Sequence, residues 1–193
     1  MKRSEFLLGS SRLACASCVT LVFGENALCA GEAPVENPVD EALKQARAEN
    51  EFTNHWPTDL FEAIDTQLEP AAKLKLLEAC GRGCFRRHKF KTDIAAAGKG
   101  DVDKLLEAYR RNYRIQREGD LVHITYGGER ERNFCYCPAA RHRPVRPNDL
   151  HCECTRATHE AIFETALGRH IRVELLETVR RGGQRCHLVA HLA

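Results

Sequence analysis

The chain has 193 residues, 43% of them hydrophobic and 29% charged, and carries a formal net charge of +2. That length supports one domain with a real core and a short appendage. The near-neutral balance removes any broad electrostatic case for a nucleic-acid partner, and beyond the N-terminus no apolar run is long enough to cross a bilayer. Ten cysteines and nine histidines are what sets the composition apart.

Lys2-Arg3 precede Phe6-Leu7-Leu8 and the apolar run Leu13 to Phe23, and small residues surround Ala27 to Ala30. Basic, apolar and small regions in that order describe an export signal over residues 1–30. The expected location is therefore periplasmic or otherwise extracytoplasmic, with no integral membrane domain once the signal is removed. The opening KRSEFLL is similar to a twin-arginine signal in which Ser4 replaces the second arginine, so general secretion stays open as the route. Cleavage near Ala30 would remove Cys15, Cys18 and Cys29.

Residues 31–50 read as a linker followed by a polar helix from Pro38 to about Asn50, and residues 51–193 as a single α+β domain. Asp59 is placed to cap a helix bearing Leu60, Phe61, Ile64 and Leu68. Pro70 opens the next, with Leu74, Leu77, Cys80 and Cys84 on one face; Gly81 and Gly83 are expected to bend or unwind it. The run Arg86-Arg87-His88-Lys89 reads as a solvated helix end. Asp101 caps an amphipathic helix with Val102, Leu105, Leu106 and Tyr109 on its apolar face.

Tyr113 to Tyr126 reads as a hairpin turning at Gly119-Asp120, with Ile115 opposite Ile124 and Arg117 opposite Val122. Asn133 to Cys137 suggests a further strand, and Pro138, Pro144 and Pro147 keep the following loop irregular. A helix from about Thr155 to Leu167 presents His159, Ile162, Phe163 and Ala166 on one face and stops at Gly168. Ile171 to Val179 and Arg185 to Leu192 form a second hairpin around Gly182-Gly183, with Val179 opposite Cys186 and Leu175 opposite Ala190. The expected fold is α+β: N-terminal helices on a small antiparallel sheet of two hairpins plus a strand, with one helix between strands.

Phe134 to Cys154, FCYCPAARHRPVRPNDLHCEC, holds two Cys-x-Cys pairs around an Arg- and Pro-rich loop. Second neighbours on an extended segment share a side, so each pair is expected to offer two thiols to one point. Thiolates are soft donors, and four complete a tetrahedral shell. Cys135, Cys137, Cys152 and Cys154 are thus candidate metal ligands, with Cys80, Cys84 and His159 as further partners and His151 as a neighbour able to replace a thiol. Zn2+ is the favoured ion, an iron–sulfur cluster the alternative. Disulfides compete, because an exported chain meets an oxidising compartment. His159 also fits a hydrogen-bonded core residue, and Cys80 and Cys84 fit the end of a core stripe. Arg141, Arg143 and Arg146 are candidates to bind the carboxylate of a small-molecule ligand, or simply form a solvated basic loop.

The stretch CTRATHEAIFETALGRHIRVELLETVRRGGQRCHLVAHL resembles the C-terminal part of the 4-vinyl reductase type of sensor domain. Together with CGRGC it also resembles the L-2-amino-thiazoline-4-carboxylic acid hydrolase family. The residues that carry this are Leu167-Gly168-Arg169-His170-Ile171, Glu174, Gly182-Gly183 and Cys186. The resemblance implies an α+β unit with a small-molecule pocket and, in the sensor type, a zinc held by Cys and Glu. Thr178 stands where several of those domains have a Cys. Three readings follow: an exported Cys-rich metal-binding domain with a small-ligand pocket, a hydrolase of small thiazoline-like heterocycles, and a disulfide-stapled binding module. The hydrolase would use a Cys nucleophile with His151 or His159 as base, its thiol pKa lowered by the loop arginines, or a zinc-bound water with Glu153 as base.

Overall fold

The computed structural model describes residues 37–126 and 132–193. The expected export signal lies outside them, and no described helix is long and apolar enough to cross a membrane. Among these residues, helices α1 (Pro38–Gln67), α2 (Pro70–Arg87), α3 (Lys89–Ala97) and α4 (Val102–Arg110) precede strands β1 (Arg114–Glu118) and β2 (Leu121–Tyr126). Helix α5 (Glu153–Leu167) and strands β3 (Val173–Glu177) and β4 (Cys186–His191) follow. The fold is α+β. Its four strands form an antiparallel sheet in the order β1-β2-β4-β3.

The first hairpin has the register that its alternation dictates: Ile115 faces Ile124 and Arg117 faces Val122, and Gly119 supplies the positive φ of the turn. The second differs. Leu175 pairs with Leu188 and Val173 with Ala190, so the pairing lies two residues from the expected one. Val179–Arg181 form a 3-10 turn capped by the Thr178 hydroxyl, and a bulge falls between Leu175 and Glu177. Both take up residues that simple counting assigns to strand.

One buried layer joins the sheet to the helices. Val122 and Ile124 of β2 and Leu188 and Ala190 of β4 meet Leu105, Leu106 and Tyr109 of α4 and Ile162, Phe163 and Ala166 of α5. The Asp101 side chain accepts from the Lys104 amide, as expected of the α4 cap. Gly168, at φ 69°, ends α5.

Two expectations on the helical side are corrected. The segments ending at Asn50 and starting at Asp59 are one helix, which runs through Pro57. Pro57 removes one intrahelical donor, to the carbonyl of Thr53 on the preceding turn; Thr53 is exposed, so water can take up that acceptor. Likewise α2 does not unwind at Gly81 or Gly83 but continues to Arg87. Finally, residues 134–137 are not a strand: they precede the proline-rich loop, and no ladder accepts their backbone groups.

Candidate functional site

The irregular segment from Arg132 to Cys152 is held in place by its own arginines. Arg143 pairs with Asp65 of α1 and lies 5.0 Å over the Phe61 ring. Arg146 reaches Glu62 at 2.7 Å and Asp65 at 3.3 Å. From the other side Arg180 donates to the carbonyls of Arg143 and Pro144 at 2.6 and 2.7 Å and pairs with Asp149 at 2.5 Å, both side chains fully buried. The basic loop is therefore an anchored crossing between α1 and the 3-10 turn. Arg143 and Arg146 are engaged by α1 carboxylates, whereas Arg141 lines a pocket of about 210 Å³ with Phe134, Cys135, Val145 and Arg180.

Anchoring the loop sets the thiols. Gly81 is what lets α2 and α5 close on each other: a Cβ there would stand 2.1 Å from the Cys154 carbonyl oxygen. The Thr158 hydroxyl donates to the Gly81 carbonyl at 3.0 Å, and Arg82 meets Glu164 at 2.8 Å. Cys80 and Cys84, flanking Gly81, are thereby brought to the first turn of α5.

The second Cys-x-Cys pair is divided. Burial pushes the Cys154 thiol up to about 12, and the charges of Cys137, Cys84 and Cys80 add to that, with Lys91 opposing. Cys137 is raised by burial, then by Cys135 and Cys84. Cys152, in contrast, is pushed up to about 12 by burial, against the Thr178 hydroxyl, and senses Cys186, Asp149 and Cys135. Cys186 is raised by burial and by Cys135. Cys154 thus stands with Cys80, Cys84 and Cys137, and Cys152 with Cys186, while Cys135 lies between the two sets. For Cys152 and Cys154 the expectation that a pair offers both thiols to one point is corrected. They straddle the start of α5, where second neighbours lie about 200° apart.

All seven described cysteines are free of disulfides. Among the described residues no three of His, Cys, Asp and Glu converge closely enough, as they stand, to hold a metal ion. Two donors do approach: Cys137 Sγ lies 3.3 Å from His151 Nε2. His151 is buried against the edge of Phe61, at a ring separation of 4.6 Å. Its Nδ1 has no partner, and burial lowers its pKa to about 4.

His159, the expected imidazole partner of the thiols, is committed elsewhere. Its Nδ1 lies 3.1 Å from the Tyr109 hydroxyl and its Nε2 2.7 Å from that of Tyr126. A neutral ring has one N–H and one lone pair, and the two tyrosines meet both. Burial takes its pKa to about 3. No ring position is left for an ion, so His159 is corrected to a core residue.

Chemically the site is a set of soft donors. Burial raises Cys137, Cys152, Cys154 and Cys186 rather than activating them as nucleophiles, and two of the three arginines assigned to lower thiol pKa values are paired with acids. Two contributors were missed in the sequence. Lys91 Nζ donates to Cys84 Sγ at 2.9 Å, and its place one element after CGRGC carries no motif. Thr178, noted only as a substituted cysteine, contacts Cys152.

A search of curated proteins finds no match. Among solved structures, a trafficking protein particle complex subunit 3 from Naegleria fowleri, covalently bound to palmitic acid, is similar with a TM-score of 0.53 and 12% identity. The match covers 76% of this chain and 96% of that one. At that identity the likeness is one of fold. Residues 41–192 match the family of unknown function DUF6144, and the chain belongs to that family.

Proposed function

We propose that the chain is an exported thiol-rich metal-binding domain whose ion is held chiefly by Cys80, Cys84, Cys137 and Cys154. The observation that carries this is the gathering of thiols around Cys154. Donors from α2, the anchored loop and the first turn of α5 stand near enough for the charges of Cys137, Cys84 and Cys80 to raise Cys154. Cys137 and Cys154, whose proton affinity is raised by burial, are poor nucleophiles, but a thiophilic cation displaces thiol protons and neutralises the mutual repulsion of thiolates. Rotations about the cysteine χ1 bonds are the movement required to bring them together. Cys152, grouped with Cys186, falls outside this set, and Cys135 borders it.

Export and metal loading are tested on the full chain expressed with its N-terminal segment and purified anaerobically. The expected result is cleavage within the first thirty or so residues and about one zinc per chain, in line with a structural tetrahedral site. Cys84→Ser and Cys154→Ser should lose the metal, and Cys186→Ser should keep it. An iron–sulfur cluster would show itself by its colour and iron content. Protein that neither retains nor takes up zinc or iron, with every thiol reacting freely, would overturn the reading.

A further inference from the structure

The pocket of about 210 Å³ between the anchored loop and the 3-10 turn has charged walls of one sign. Arg141, Arg143 and Arg180 line it, and no Asp or Glu does. Two of these cations are already compensated. Arg143 is buried and paired with Asp65 of α1, and Arg180 is buried and paired with Asp149. Arg141 is exposed. Of the three arginines between the Cys-x-Cys pairs, it is the one that meets no carboxylate among the described residues.

An exposed arginine is usually no more than solvated, but the setting of Arg141 is fixed and amphiphilic. Its amide donates to the Cys137 carbonyl at 3.0 Å, and that of Arg143 to the carbonyl of the fully buried Ala140 at 3.1 Å. Two large apolar side chains left exposed by the fold, Phe134 and Val145, line the same pocket. The Phe134 side is secured as well. Asn133 holds a left-handed φ of 63°, and its amide donates to the Gln184 carbonyl at 2.7 Å.

A free guanidinium between apolar walls selects its ligand. Its planar fork matches a carboxylate through two parallel hydrogen bonds, and the walls favour an uncharged body beside that group. One free cation balances one negative charge. A phosphate dianion would need a second, and Arg143 and Arg180 already have their acids. The space equals about seven waters at ~30 Å³ each, below the roughly 300–1,000 Å³ typical of ligand pockets, so the acid is small.

We infer that this pocket binds a small monocarboxylate with an apolar body, the carboxylate on Arg141 and the body between Phe134 and Val145. Arg143 and Arg146 belong to the anchorage of the loop and take no part. The site is independent of the metal-binding reading above, because it requires no thiolate.

The test is an amide NMR titration of the 15N-labelled full chain with benzoate, a small acid with a rigid apolar body. Saturable shifts should appear at the amides of Phe134, Arg141 and Val145 at low-millimolar concentration or below. Benzamide, which keeps the shape without the charge, should cause none. Inorganic phosphate and acetate should each bind more weakly than benzoate. Arg141→Gln should weaken benzoate at least about tenfold, the loss of one charge-assisted pair, with the amide spectrum away from the pocket unchanged. No saturable shift with benzoate would overturn the proposal, as would an Arg141→Gln variant that binds it like wild type. Phosphate or benzamide binding as tightly as benzoate would overturn the carboxylate assignment, and acetate binding as tightly would overturn the role of the apolar walls.

Discussion

Tyr126 and Tyr109 show what a buried imidazole costs when it is not a ligand. Each hydroxyl meets one nitrogen of His159, and burial holds the tyrosine protons on by raising both phenol pKa values. Tyr126→Phe strands the Nε2 position and should cost roughly 1–3 kcal/mol in a urea titration at neutral pH; an unchanged midpoint would sink this account. The two histidines also set a pH dependence. Their folded values, about 3 for His159 and about 4 for His151, lie below the ordinary 6.5. Between those limits the unfolded chain takes up protons that the folded chain refuses. Stability is complete above about pH 6.5 and falls as pH drops towards 4, by about 1.4 kcal/mol per pH unit for each histidine. Metal-free protein titrated with urea at pH 7 and pH 5 checks this, and equal stability at the two would contradict it. The sequence could place His159 on an apolar face, but the tyrosines that satisfy it lie on two other elements, at sequence distances no local pattern spans.

At the scale of elements, legibility followed the locality of the determinant. The Asp101 cap and the first hairpin rest on residues within one turn of each other, and both were readable. The second hairpin was displaced because a 3-10 turn and a bulge intervene. The second Cys-x-Cys pair departs from the expected geometry because whether second neighbours share a side depends on the local backbone, and a helix start altered it. Gly81 is the sharpest case: helix propensity marks it as a weak point, whereas its role is to admit the backbone of α5. Gly81→Ala raises helix propensity yet should destabilise the fold by about 1–3 kcal/mol through overpacking and should also lower zinc retention; a stabilised variant that still loads zinc would refute it. The loop anchors rank by burial. Asp149→Ala leaves Arg180, 2% exposed, as an unpaired buried cation, at a cost of roughly 3–5 kcal/mol. Glu62→Ala, on the half-exposed pair with Arg146, should be close to neutral. Thermal melts of the two variants side by side would reverse this ranking if the loop were anchored chiefly from α1.

For the molecule as a whole, α1 is the element least committed to the core, with no buried residue. It carries the chain's one tryptophan, Trp56, 62% exposed beside Phe52 at 75%. Tryptophan emission from the folded chain should therefore resemble that of the unfolded chain, and a strongly blue-shifted native spectrum would show that this face is covered in solution. The pairs that close the fold are distant in sequence: Arg82 and Glu164 are 82 residues apart, and β2 joins β4 by pairs as far apart as Leu121 and His191. Folding that must close such loops is slow. Until they close, the thiols are sorted by sequence neighbourhood and not by space. Cys135 then sits beside Cys137 and Cys152 beside Cys154, and the folded chain divides the second of these pairs. A thiophilic ion met early would bind those neighbours and reward the unfolded ensemble. On the proposed metal-binding reading, refolding started with zinc present should therefore be slower than refolding followed by zinc, and the order in which closure and ion arrive would decide whether this chain matures or is trapped.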